Sequence, residues 1–159
     1  MLEMKENGPD SARVFSPPPL LFAGATATGA LLDGTLPDRG EFLGLPQLAG
    51  YAFALAGVTL IAASLGLFRR HRTRPEPWQP ASALIQSGIY RYSRNPMYLG
   101  MVCLSLGFCI FFESIVALLL VGGVAIFIDR FVIAREEAYL SRRFGSDYDG
   151  YKRQVRRWL

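Results

Sequence analysis

Histidine and cysteine are almost missing from this sequence. His71 is the single histidine, and Cys103 and Cys109 are the two cysteines. So few imidazoles and thiols supply no ligand cluster, and a metal enzyme finds no support. The cysteines lie six residues apart in one apolar run. A helix there points them in different directions and keeps their Cα atoms out of disulfide range. They read as inert apolar residues. No glycine-rich strand-to-helix turn of the kind used by soluble dinucleotide or methyl-donor domains is present. Internal repeats and low-complexity tracts are also missing. The first apolar run follows an acidic leader with Glu3, Glu6 and Asp10 and lacks a small-residue cleavage site, which argues against a secretory signal.

Charge is scarce as well: 19% of the 159 residues are charged and 51% are hydrophobic. The apolar residues come in blocks. Leu20 to Leu32, Leu43 to Phe68, Pro96 to Phe112 and Ser114 to Ile128 are each uncharged. The second block is long enough for a bilayer core at about 1.5 Å per residue. It has no polar face at helical spacing, which argues against a soluble core helix. The expected fold is all-α: a multi-pass membrane protein with about four transmembrane helices. A cytoplasmic C-terminal interfacial helix is expected from about Phe131 to Phe144, stopped by Gly145. Residues 1–16 read as a flexible leader, and 17–159 as one membrane domain, divided into a helix hairpin (17–68) and a C-terminal half (69–159).

The placement of charge orients this arrangement. Arg69, Arg70, Arg72, Arg74, Arg91 and Arg94 lie between the second and third blocks. Arg130, Arg135, Arg142, Arg143, Lys152, Arg153, Arg156 and Arg157 follow the fourth. By the positive-inside rule both segments, and both chain ends, face the cytoplasm. A basic tail beside membrane helices suits anionic headgroups better than nucleic acid.

Two segments carry a pattern. The first runs Gly88-Ile89-Tyr90-Arg91-Tyr92-Ser93-Arg94-Asn95-Pro96-Met97-Tyr98-Leu99-Gly100. The second holds Glu136-Glu137, Leu140, Phe144-Gly145, Tyr148, Tyr151, Val155 and Trp158. Pro75, Pro77 and Pro80 precede the first and forbid a continuous helix there. Together these resemble the paired signature of the isoprenylcysteine carboxyl methyltransferases and related phospholipid methyltransferases. The resemblance covers about Arg69 to Leu159. In many members a histidine stands where this chain has Asn95, so a role that needs a titrating imidazole is not available.

The resemblance implies an S-adenosylmethionine-dependent methyltransferase acting on a lipid or isoprenoid-type acceptor that enters from the bilayer. It places the cofactor against Gly88, Tyr90, Arg91, Arg94, Asn95, Pro96, Tyr98, Leu99, Glu136 and Glu137. Such a donor carries a sulfonium, an ammonium and a carboxylate. Arg91 and Arg94 can fork onto the carboxylate. Glu136 and Glu137 can face the ammonium, and Tyr90 and Tyr98 offer ring faces. A carboxylate acceptor needs no general base, and a dry, oriented pocket assists direct displacement. Arg94 or Arg130 is the candidate for orienting the acceptor, and Glu137 joins them as a catalytic candidate.

The same residues admit plainer roles. Asn95-Pro96 is a good start for a helix. The arginines and tyrosines suit a membrane interface. Glu136 and Glu137 can form a solvated helix face with Arg135, Arg142 and Arg143. Two other functions also fit the architecture. One is an integral-membrane reductase using NADPH, which lacks a reason for Glu136-Glu137 with its downstream spacing. The other is a non-catalytic membrane partner, whose expected loss of the arginines or acidic pair is not seen.

Overall fold

The computed structural model describes residues 17–35, 46–75 and 79–159. Among these residues every regular element is helical. The leader 1–16, most of the first hairpin turn and Pro77 lie outside them.

Helix α1 (Pro18–Asp33) starts where Pro17 is extended and Pro18 takes the first helical position. Proline costs nothing there, because the first turn has no partner for its missing N–H. Helix α2 (Gln47–Arg70) follows Pro46 and ends with Arg69 and Arg70, whose charges suit the carbonyl end of the helix. A 3₁₀ turn (Gly88–Arg91) leads to α3 (Pro96–Phe111). Helix α4 (Ile115–Phe127) comes directly after a tight turn with Glu113 at φ +51°. Ser114 caps α4 by accepting the Ala117 N–H at 3.0 Å. Asp33, the last residue of α1, accepts the Val116 N–H at 3.1 Å and the Ser114 hydroxyl. One end of α1 is thereby pinned to the start of α4.

The interfacial helix expected from about Phe131 is not a separate element. Helix α4 runs on through a π-helical segment (Ile128–Ile133) into α5 (Ala134–Phe144). No proline or glycine interrupts the stretch from Val124 to Phe144, so the backbone has no reason to break. Gly145, at φ +53°, ends α5 as expected, and α6 (Ser146–Gln154) follows. The last five residues are not helical: Val155 turns extended and the chain returns across the molecule.

Among the described residues, two helices are long and apolar enough to cross a membrane: Gln47–Arg70 and the continuous Ile115–Phe144. Helix α3, with 16 residues, is apolar but shorter. About 20 residues of the longer helix suffice for a ~30 Å hydrocarbon core. Its charged last turns, Ala134–Phe144, are in excess of that length. Leu48, Leu55, Leu119 and Ile126 stay exposed on α2 and α4, as lipid-facing side chains do.

Packing is closest between α2 and α3, which run antiparallel. A methyl group at Gly57 would sit 2.7 Å from the Gly100 carbonyl oxygen, and one at Gly107 would sit 2.7 Å from the Gly50 oxygen. The small residues let the two backbones touch, where dispersion contacts replace a hydrophobic driving force that lipid does not provide. Gly29 of α1 meets the Ala117 backbone of α4 in the same manner. Between α1 and α3 the contact is looser. A groove enclosing about 1360 Å³ runs there, lined by Phe22, Ala27, Leu31, Met101, Leu104 and Phe108 among others. Cys103 and Cys109 are free thiols on α3.

Candidate functional site

A second cavity of about 800 Å³, open at its mouth, lies at the basic end of the bundle. Four parts of the chain build it. Phe68 lies in the last turn of α2, and Arg74, Pro75, Gln79, Ala81, Ala83, Leu84 and Ile85 form a loop wall. Tyr90, Arg94, Asn95, Met97 and Tyr98 come from the 3₁₀ turn and the start of α3. Glu136, Tyr139, Leu140, Tyr148 and Tyr151 come from α5 and α6. Volume and lining, mostly apolar with a few convergent polar groups, suit a small-molecule site.

The walls are braced by directional bonds. Tyr139 Oη accepts the Ala81 N–H at 3.0 Å, and Arg143 Nε donates to the Ala81 carbonyl. Tyr151 donates to the Tyr90 carbonyl at 2.7 Å, while the Tyr90 ring meets Phe68 edge-on at 6.1 Å. Burial pushes the Tyr90, Tyr148 and Tyr151 phenols well above their ordinary value, so all three remain neutral donors. Gly88 shapes this region without lining it. Its φ of +61° is a conformation that side-chain-bearing residues avoid, and a methyl group would press to 3.0 Å from Leu67.

The two adjacent acids have separate fates. Glu136 lines the cavity and accepts from the Tyr98 hydroxyl at 3.1 Å. Burial, reinforced by the neighbouring Glu137 charge, raises its pKa to about 7 against the lowering effect of the Tyr98 bond. Glu137 does not line the cavity and is only 5% exposed. Burial alone would raise its pKa, yet hydrogen bonds from Arg157 and the charge of Arg94 outweigh that and hold it below the usual range. Arg157 grips it with two nitrogens, at 3.1 and 2.7 Å, and Arg94 Nη2 sits 2.6 Å away. A solvated acidic face paired with Arg142 and Arg143 does not describe Glu137.

Arg94 is also committed inside the protein. Besides Glu137, it donates from Nη1 to the Lys152 and Val155 carbonyls at 2.9 Å each. Its Nε is buried without a hydrogen-bond partner. The forked carboxylate grip expected of Arg94 is therefore largely taken, with Nε left over. Asn95 stands at the N-cap of α3 but makes no capping bond; its Nδ2 donates to the Arg157 carbonyl at 3.0 Å.

Of the residues singled out in the sequence, the cavity brings together Tyr90, Arg94, Asn95, Tyr98 and Glu136. Gly88, Pro96, Leu99 and Glu137 flank it without lining it. Arg91 is exposed outside it. Arg130 also lies outside: its side chain is 76% exposed and reaches Asp129 at 3.5 Å, because it falls on the outer face of the π-helical segment. Sequence reasoning passed over Tyr139, Tyr148 and Tyr151 as wall residues, although the last two stood in the second motif. It also passed over Arg157, which carried no motif signal, and it paired the costly Asp129 charge with Arg130, whereas Asp129 also meets Arg157 and Trp158.

A cavity braced by tyrosines, with one acid facing in and a leftover arginine donor, set on apolar helices, has the makings of a small-molecule site at a membrane face. The phospholipid methyltransferase family model matches residues 45–147, and the chain belongs to that family. Its members are membrane methyltransferases that generally use S-adenosylmethionine. The match speaks against the reductase reading. The chain is also similar to an uncharacterized protein of Haemophilus influenzae, 44% identical over 66 residues, which is 40% of this chain and 100% of that protein. No solved structure matches the chain.

The wall residues fit the methyl donor. Arg94 Nε is a buried donor awaiting an acceptor, as a ligand carboxylate would be. Glu136 offers an opposite charge for an ammonium, and the tyrosine rings and Ile85, Leu84 and Leu140 offer apolar faces for a purine.

Proposed function

We propose that this protein transfers a methyl group from S-adenosylmethionine to a lipid or isoprenoid-type acceptor at the membrane. The observation that carries the reading is Glu136: a carboxyl on the cavity wall, hydrogen-bonded by Tyr98 and titrating near neutrality, while its neighbour Glu137 is locked away. When bound, the cofactor supplies an electrophilic methyl on a sulfonium. Glu136 holds the ammonium of its amino-acid end, and Arg94 Nε, with Arg74 at the mouth, takes the carboxylate. Tyr90 and Tyr98 set ring faces against the adenosyl part and narrow the space open to water. Asn95 holds the loop rather than the ligand, and Arg130 takes no part.

The acceptor's chain is assigned to the groove between α1 and α3. Met97 and Tyr98 line the polar cavity, and Met101, one turn along the same helix, lines the groove. A headgroup held at the first is one helical turn from a hydrocarbon chain laid in the second. Four membrane crossings, with both ends and the cavity on the cytoplasmic side, fit this arrangement and the positive-inside pattern. Carboxyl O-methylation is the finer form of the proposal, since a carboxylate acceptor attacks the methyl group without a general base.

Calorimetric titration of S-adenosylmethionine into detergent-purified protein tests the reading, with NADPH as a control. Micromolar binding that Glu136→Gln weakens, and methylation of a prenylated-cysteine carboxylate in preference to a phospholipid amine, is the expected result. A folded sample that binds no methyl donor would remove the cofactor assignment. Methylation of the amine alone would keep it and overturn the O-methylation form.

A further inference from the structure

The C-terminal residues Val155–Leu159 lie beyond the span matched by the family model and line no part of the cavity. They nevertheless join its two halves. Their backbone binds the first motif: the Arg156 carbonyl accepts the Arg94 N–H at 3.0 Å. The Arg157 carbonyl accepts Asn95 Nδ2 at 3.0 Å and the Ser93 hydroxyl at 3.3 Å. Their side chains bind the long helix instead. Arg157 reaches Glu137 with Nε and Nη2, and its Nη1 lies 3.2 Å from Asp129 Oδ1. Trp158 Nε1 donates to the same Asp129 oxygen at 2.9 Å.

One guanidinium thus stands between two carboxylates that lie two turns apart on a single helix, 129 and 137. Bidentate pairing of this kind fixes orientation as well as distance. Arg157 is only about a third exposed, so solvent screens these bonds weakly. Glu137 keeps Arg94 without it, but Asp129 is left with Trp158 and the exposed Arg130. The register of the strap would then be loose, and with it the carbonyls that hold Ser93, Arg94 and Asn95.

We propose that Arg157 is a positioning residue for the methyl-donor site. It never touches the ligand; it fixes the strap that holds Arg94 and Asn95 against the cavity and keeps Glu137 turned away, which leaves Glu136 facing inward. This rests on the proposed function, since the ligand is the one assigned there. The family match supplies no role for this segment.

The experiment uses the full chain in detergent, as Arg157→Ala and Arg157→Lys, with two readouts. Calorimetry with S-adenosylmethionine separates affinity from the fraction of active protein. A positioning role raises Kd roughly tenfold to a hundredfold at unchanged stoichiometry. Arg157→Lys, which cannot bridge both carboxylates, recovers only part of this. A purely structural role lowers stoichiometry and leaves Kd alone, and that result overturns the proposal. Hydrogen exchange without ligand reads the anchor itself: the Arg94 amide is expected to exchange at least about tenfold faster in Arg157→Ala. Unchanged exchange overturns the anchor. Wild-type protein that binds no donor refutes the functional reading, whereas the exchange arm still passes or fails the strap.

Discussion

The polar cavity and the apolar groove are built on one helix by opposite means. At the basic end of α3 the walls are tied by directional bonds: Tyr139 to Ala81, Tyr151 to Tyr90, and Arg94 to Val155 just beyond α6. Along the membrane part of α3 the groove toward α1 is walled by side chains alone. Of its two polar lining residues, Thr26 and Ser105, Thr26 spends its hydroxyl on its own helix, at the Phe22 carbonyl. Hydrogen bonds demand fixed geometry, and dispersion does not. The polar cavity is therefore suited to one ligand in one pose, and the groove to a chain that can slide. Behind both stands the glycine seam with α2, which gives α3 a rigid back.

Breaking that back is expected to have the largest effect. Gly57→Leu drives a side chain into the Gly100 carbonyl and should cost about 3 kcal/mol, the upper end for overpacking. Unfolding in mixed micelles measures it. Gly66→Ala, with nothing within 4 Å, is the control and should be neutral or stabilising by roughly 0.5–1 kcal/mol. Equal losses in both variants would mean the seam is not the support.

Next in size is the charge on the polar cavity's wall. Glu136→Gln removes a charge-assisted contact worth about 2 kcal/mol, or roughly 30-fold in donor Kd. The pH dependence follows from the same group. With a pKa of about 7, Glu136 is the carboxylate above that value and loses its charge below it. Donor affinity should fall roughly tenfold from pH 8 to pH 6. Folding stability has the opposite sign. A raised carboxyl pKa gives stability that is full below 4.5 and is lost as pH rises to about 7. Calorimetry and thermal unfolding across that window should therefore slope in opposite directions.

The smallest effect sharpens the contrast. Ala27→Phe fills the groove, and it should raise the acceptor KM about fivefold, a ~1 kcal/mol loss of chain burial, while donor Kd stays unchanged. A donor Kd that moved with it would show that the two cavities are not separately built.

Much of this arrangement was legible in the sequence. Uncharged runs locate the four apolar helices to within a few residues, because burial in lipid demands them, and Pro18, Pro96 and Gly145 mark ends by backbone rules alone. The first motif placed Tyr90, Arg94, Asn95 and Tyr98 together, and they do meet at one cavity. What sequence could not reveal is which atoms are already spent. Glu136 and Glu137 look alike on paper; a helical step of about 100° sends them to different surroundings. Arg130 looked available because its depth, not its facing, was readable. Arg157 had no periodicity to announce it, since an extended strap finds its partners only through tertiary structure. The bracing of this site comes from contacts such as Arg94 with Glu137 and Asn95 with Arg157, 43 and 62 residues apart in the chain, where local pattern carries no information.

The π-helical segment Ile128–Ile133 has a consequence for inheritance. A π-bulge amounts to one residue more than an α-helical ladder holds, so everything after it is rotated by about 100°. The facing of the acidic pair is thus recorded as a count, not as a residue type. Substitutions within the segment can be mild, whereas deleting a single residue there would turn the whole C-terminal extension like a dial set one notch back. Relatives that keep the acids but differ by one residue in this stretch should present a different acid to the cavity.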